Sequence, residues 1–148
     1  MKASFVVSAL AALAVAPAFA AIDSQAALPA EQHQGKIAYR SGGIGQDESR
    51  AMRREASRYP LELLFVARQG KHDDFLADMP VTIRDARGDT VFQGRSAGPY
   101  FLARLPAGRY TVTSTDRGER VTRHVTVKDH GTRRVVFEWR SASGRRNA

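Results

Sequence analysis

Glycines fall ten residues apart at Gly88, Gly98, Gly108 and Gly118, and Gly131 follows thirteen later. Between them run segments rich in β-branched and aromatic residues, at 80–85, 90–95, 100–105, 109–115, 120–127 and 133–140. Such runs, bounded by turn residues at this interval, read as short strands. Four of the glycines close the same kind of quartet: Asp85-Ala86-Arg87-Gly88, Leu105-Pro106-Ala107-Gly108, Thr115-Asp116-Arg117-Gly118 and Lys128-Asp129-His130-Gly131. A type I turn followed by a left-handed residue is a common hairpin connection, and glycine enters that conformation without a Cβ clash. Gly88, Gly108, Gly118 and Gly131 are therefore expected at hairpin ends with positive φ. Pro106 brings a preset φ to a first central position. A further run precedes them. Leu61, Leu63, Phe65 and Ala67 share one face of a strand over 61–68, and Leu64 and Val66 mark the other face as covered too. Seven strands spaced this way predict a mainly β chain folded as a sandwich.

Ahead of these strands, residues 46–58 read as one α-helix. Asp47 and Glu48 stand in its first turn, where the helix dipole favours negative charge. Met52, Ala56 and Tyr59 form a single narrow apolar stripe, and Tyr59-Pro60 ends the helix. Lys36-Ile37-Ala38-Tyr39 is a short strand, Ser41-Gly42-Gly43-Ile44-Gly45 a turn, and 69–74 a polar loop. The resulting division is a leader over 21–35, a strand, turn and helix over 36–60, the sandwich over 61–140, and a basic tail over 141–148.

The first 20 residues differ in kind from the rest. Met1-Lys2 is positive, residues 5–16 are uncharged and apolar, and Pro17-Ala18-Phe19-Ala20 ends in small residues. This is the pattern of a secretory signal peptide, with cleavage expected between Ala20 and Ala21. The apolar run is shorter than the roughly 20 residues that a membrane-spanning helix needs. A periplasmic or secreted protein without a transmembrane segment is expected. Cysteine is absent, which excludes disulfides, thiolate metal sites and a cysteine nucleophile. The formal net charge is +8, and 19 of the 23 basic residues are arginine. Outside the cytoplasm that charge points away from nucleic acid and towards anionic envelope components, such as lipid headgroups, lipopolysaccharide phosphates or acidic polysaccharide, or towards a protein partner.

Candidate chemistry is sparse. Arg50, Arg54 and Arg58 recur every four residues on the helix, with Arg53 beside them and the apolar stripe opposite. Guanidinium groups so placed form an anion-binding stripe in contact with a membrane surface or polymer, or else a solvated face. Tyr100 and Phe101 put one ring on each face of a strand, so an exposed ring there would suit stacking on sugars in a carbohydrate-binding module. Gly43-Ile44-Gly45 lacks the third glycine of a dinucleotide loop, since Glu48 holds that place. His72-Asp73-Asp74 has no metal-ligand spacing to the other histidines, and no serine lies in a nucleophile elbow. The residues thus assign no catalytic group, metal or cofactor. A hydrolase, the remaining alternative, requires a histidine and a carboxylate to converge in a cleft.

Val81-Thr82-Ile83-Arg84-Asp85-Ala86-Arg87-Gly88, Gly98-Pro99-Tyr100 and Leu105-Pro106-Ala107-Gly108-Arg109-Tyr110-Thr111-Val112 together resemble the carboxypeptidase regulatory-like domain. The resemblance covers residues 78–139. It implies a seven-stranded transthyretin-like sandwich, grouped with the starch-binding-like (carbohydrate-binding-like) folds, here with one N-terminal helix. It also implies a non-catalytic accessory or binding module. With the segment 39–45 and a helix in front, the chain resembles small secreted proteobacterial proteins that carry this domain alone. A hydroxyisourate-hydrolysing relative of the transthyretin fold closes on Tyr-Arg-Gly-Ser, whereas this chain ends Gly144-Arg145-Arg146-Asn147-Ala148.

Overall fold

The computed structural model describes residues 27–141. The signal segment, the Ala20–Ala21 cleavage position and the tail beyond Ser141 lie outside the described residues. The strands are β1 (Gln32–Gln34), β2 (Ile37–Gly42), β3 (Leu61–Gln69), β4 (His72–Phe75), β5 (Met79–Arg84), β6 (Thr90–Ser96), β7 (Tyr100–Arg104), β8 (Gly108–Asp116), β9 (Glu119–Val127) and β10 (Arg133–Arg140). The helix α1 spans Gln46–Glu55 and tightens into a 3-10 turn over Ala56–Arg58. Six strands form one sheet in the order β1-β2-β7-β3-β10, with β4 beside β3, and four form the other in the order β6-β5-β8-β9.

The seven expected strands are β3 and β5 to β10. Ten are present among the described residues because three polar or short segments also pair. β2 extends the expected 36–39 strand through Gly42, and β4 lies within the expected polar loop and just beyond it. β1 occupies part of the expected leader. Its sequence has no apolar periodicity, and side-chain hydrogen bonds hold it instead. Tyr39 Oη donates to Gln32 at 2.7 Å, and the Gln34 amide exchanges two 2.8 Å bonds with the Gln93 backbone on the opposite sheet.

Two apolar layers result. Leu61, Leu63 and Phe65 of β3 meet Val81, Ile83 and Val112 between the sheets. On the other face of the larger sheet, Leu64, Val66, Tyr100 and Leu102 lie under Met52, Ala56 and Tyr59. β3 and β7 are thus covered on both faces, which explains the continuous apolar runs from Leu63 to Ala67 and from Tyr100 to Ala103. Tyr100 is 2% exposed and Phe101 0%, so neither presents a ring to solvent. The alternative of an exposed ring for stacking on sugars therefore does not hold on this strand, because the helix covers its outer side. Trp139 is buried as well, with its indole N–H donating to the Glu119 carbonyl at 2.9 Å.

The turns divide by whether they join strands of one sheet. Gly88 (φ 85°) closes the β5–β6 hairpin, its N–H reaching the Asp85 carbonyl at 3.0 Å. At the β8–β9 hairpin both Arg117 (φ 49°) and Gly118 (φ 84°) are left-handed, so this is a two-residue turn of type I′ and not a type I quartet. Gly131 has φ 80° but links strands of different sheets. Gly108 departs from expectation altogether. It has no positive φ and opens β8, because β7 and β8 belong to opposite sheets and no hairpin can form. In that crossover the Tyr110 hydroxyl donates to the Pro106 carbonyl at 2.7 Å, which is what Pro106 contributes there.

Glu62 is the polar exception on the covered face of β3. Burial pushes its carboxyl above the ordinary value, and Arg134 at 3.7 Å pulls it the other way. An acid raised in this way stabilises the fold below its unfolded pKa of about 4.3, and that contribution is lost as pH rises through the folded value. Glu62→Gln stays neutral throughout. It is expected to raise the melting temperature at pH 7 and to leave it nearly unchanged near pH 4, as read by paired thermal melts.

Candidate functional site

α1 lies with Ala51, Met52 and Ala56 buried, which turns its remaining faces outward. Arg50, Arg53, Arg54 and Arg58 are all exposed. They are not equivalent. Arg50 stands 3.6 Å from Asp47 and Arg58 3.7 Å from Glu55, each one turn along the helix from its own counter-charge. Among the described residues Arg53 and Arg54 make no ion pair. The repeat of four brings Arg50, Arg54 and Arg58 into line, but the two guanidiniums without a carboxylate partner are adjacent in sequence.

A network holds the far end of the helix. Tyr59 Oη donates to Glu31 and accepts from Arg40 Nε at 3.2 Å, while Arg40 also donates to the Pro29 carbonyl and lies 3.9 Å from Glu55. The Arg104 guanidinium stacks 4.3 Å from the Tyr59 ring centroid, lies 3.3 Å from Glu31 and donates to the Arg58 carbonyl at 2.9 Å. The Tyr59 hydrogen bond, aided by Arg104, holds the Glu31 carboxyl below its ordinary value. Burial, and then the bond to Glu31, raises Tyr59. The chain before β1 is therefore a strap across the helix end, a role its polar composition does not announce.

At the other end, the turn before α1 is closed on itself. Gly43 N–H donates to Glu48 Oε1 at 2.7 Å, so the helix's own carboxylate occupies the place a phosphate would take. Beside this turn a cleft of about 610 Å3 opens, lined by Ile44, Phe75, Ala77, Pro99, Arg50 and Arg53. Ile44 is 62% exposed and Phe75 57%, and the Phe75 ring stacks on Tyr100 with centroids 6.3 Å apart. These two residues were missed in the sequence. Phe75 follows three polar residues in a segment that reads as loop, and Ile44 sits alone between glycines. An apolar residue with no periodic partner was the available signal in both cases.

His72, Asp73 and Asp74 lie on the exposed strand β4, where alternation separates Asp73 from the other two. Arg68 lies 3.5 Å from Asp73, and Gln69 donates to Asp74 at 2.7 Å. Among the described residues no three histidine or acidic side chains converge as a metal centre would require.

Fold and site together define a two-sheet β-sandwich with one sheet covered by a helix that carries an exposed basic face. No family model and no curated protein matches the sequence. Among solved structures the chain is similar to a minor pilin of the Gram-positive pathogen Streptococcus agalactiae, at 16% identity and a TM-score of 0.47. That likeness covers 55% of this chain and 44% of the pilin.

Proposed function

We propose that this chain is a secreted, non-enzymatic binding module of the transthyretin-like, carboxypeptidase regulatory-like kind. Its ligand is an anionic lipid component of the bacterial envelope, met at the periplasmic side. The observation that carries this reading is an apolar cleft with the unpartnered Arg53 in its lining and the unpartnered Arg54 next along the helix. Arg53 and Arg54 supply charge for a phosphate or carboxylate headgroup, and Ile44 and Phe75 supply exposed apolar surface for what is attached to it. The absence of acid–base equipment in the cleft supports a non-catalytic role. Its lining contains no histidine and no carboxylate, and general acid–base catalysis needs a group that titrates near the working pH. The signal-like first 20 residues support export, and no described helix is long and apolar enough to cross a membrane.

The test is cosedimentation with phosphatidylglycerol-containing vesicles against pure phosphatidylcholine vesicles. The protein is expected to bind the anionic vesicles at low ionic strength and to be released as salt screens the contact. Arg53→Gln with Arg54→Gln should weaken binding on the order of tenfold or more, at about 1 kcal/mol per basic residue near the surface. Thermal melts should not move, since both side chains are solvated. Equal sedimentation of the variant and wild type would remove the helix face from consideration.

A further inference from the structure

The two outer faces of the sandwich are unlike. The helix covers one. The other, the outward side of β6-β5-β8-β9, is covered by no element among the described residues. Along β8 the residues Tyr110, Val112 and Ser114 are buried, so Arg109, Thr111, Thr113 and Thr115 point outward. Along β9, Val125 and Val127 are buried, which turns Arg120, Thr122, His124 and Thr126 the same way. The strand register aligns these positions in rows. Gln93, Thr82, Thr113 and Thr122 make one row, and Arg84, Thr111 and His124 the next, with Arg109 opposite Thr126 and Thr115 opposite Arg120 at either side. Rows lie about 6.8 Å apart and neighbouring strands about 4.8 Å apart.

This face has a definite chemistry. None of the outward positions in these rows is a carboxylate. Arg84, Arg109 and Arg120 make no ion pair among the described residues. Of the carboxylates at its margin, Asp85 accepts the backbone N–H groups of Arg87 and Asp89 at 2.9 and 3.0 Å and Asp78 lies 2.6 Å from Arg95, while Asp116 and Glu119 face each other beyond the Thr115–Arg120 pair at the hairpin end. Neighbouring polar groups are in mutual reach, the Thr113 and Thr122 hydroxyls at 3.4 Å and the Thr111 hydroxyl and His124 Nδ1 at 3.2 Å. A shallow depression of about 350 Å3 lies between Arg84 and Arg109, with Thr111, Thr126 and His124 along it and Asp85 at its turn end. The exposed large apolar residues Ile44, Phe75 and Val136 all belong to other elements, so this face has nothing to insert into a bilayer.

We infer that the bare sheet face binds an acidic polysaccharide, a linear polymer that carries both hydroxyls and carboxylates. Threonine hydroxyls donate to and accept from sugar hydroxyls. The three free guanidiniums take carboxylates along the polymer, and charge complementarity over a flat, extended surface selects a chain over a compact ligand. The site is separate from the helix face and does not depend on it.

The test is affinity electrophoresis of the purified protein through gels containing polygalacturonate or neutral dextran. Retardation is expected in polygalacturonate and not in dextran. Arg84→Gln, Arg109→Gln and Arg120→Gln together should reduce apparent affinity tenfold or more. Lys36→Gln, Lys71→Gln and Arg140→Gln remove the same charge from exposed positions on the larger sheet and its turns and should leave affinity within about twofold. Thr111→Val with Thr113→Val keeps net charge and strand-compatible shape, so it reads the hydroxyl contribution even if the arginine variant folds poorly, and it should weaken binding several-fold. Equal loss in the two charge-removing variants would overturn the inference in favour of diffuse charge. So would an unchanged threonine variant, or retardation by duplex DNA that the threonine change weakens just as much. Failure of vesicle binding by the helix face would leave every one of these outcomes readable.

Discussion

Phe101→Ala is expected to cost about 3–5 kcal/mol of folding stability, the range for emptying a fully buried aromatic site. The side chain is fully buried between the sheets. Its ring lies 5.1 Å from Phe92, edge to face, and 5.6 Å from Tyr39, stacked. Tyr39 belongs to β2, Phe92 to β6 and Phe101 to β7, so one truncation loosens contacts among three strands in two sheets. The loss corresponds to a fall in melting temperature on the order of 10–20 °C for a chain of this size. Equilibrium denaturation of the variant measures it. A loss below about 1 kcal/mol, combined with weakened sugar binding, would return Phe101 to the role of an exposed stacking platform.

Gly98→Ala is expected to destabilise by about 1–3 kcal/mol or more, as overpacking without room to relax does. A Cβ at Gly98 would meet the Gly42 backbone, and backbone cannot rotate aside as a side chain can. The contact is fixed on both sides. Ser41 Oγ accepts the Ala97 N–H at 3.0 Å, Ser96 Oγ donates to the Gly98 carbonyl at 2.7 Å, and the Pro99 carbonyl accepts the Phe65 N–H at 3.0 Å. Gly108 makes the informative contrast. It shares the ten-residue spacing, yet its Cβ position is 3.7 Å from the nearest atom, on the Tyr110 ring, and its φ is not positive. Gly108→Ala should be neutral, or stabilising by about 0.4–1 kcal/mol through the unfolded chain. Matched denaturation curves for the two variants check both values. Similar effects at the two positions would mean that the tight approach of the 97–99 loop to β2 is not what demands glycine.

The seven sandwich strands and the helix were legible because each carries its own periodicity. The apolar residues of β5, β8 and β10 fall on one side, and Met52, Ala56 and Tyr59 fall on another. Local patterning of this kind acts within a few residues and survives in a one-dimensional reading. Burial of β3 on both faces was visible too, in Leu64 and Val66.

What the sequence by itself determined is therefore the mainly β class, the position of the helix, the turns at Gly88 and Gly118, and a strong excess of guanidinium charge. Only the tertiary structure decided the rest, because it depends on residues far apart in the chain. Gly108 and Gly118 end similar quartets, and sheet membership alone makes one a strand residue and the other a hairpin corner. β1 and β4 pair through backbone and polar side chains, which leave no apolar period to read. Tyr100 is buried because a helix some fifty residues earlier folds over its sheet. The same packing decides the functional surfaces. Counter-charges one turn away neutralise Arg50 and Arg58 and leave Arg53 and Arg54 free, while strand register gathers Arg84, Arg109 and Arg120 onto a face that no linear spacing foretells.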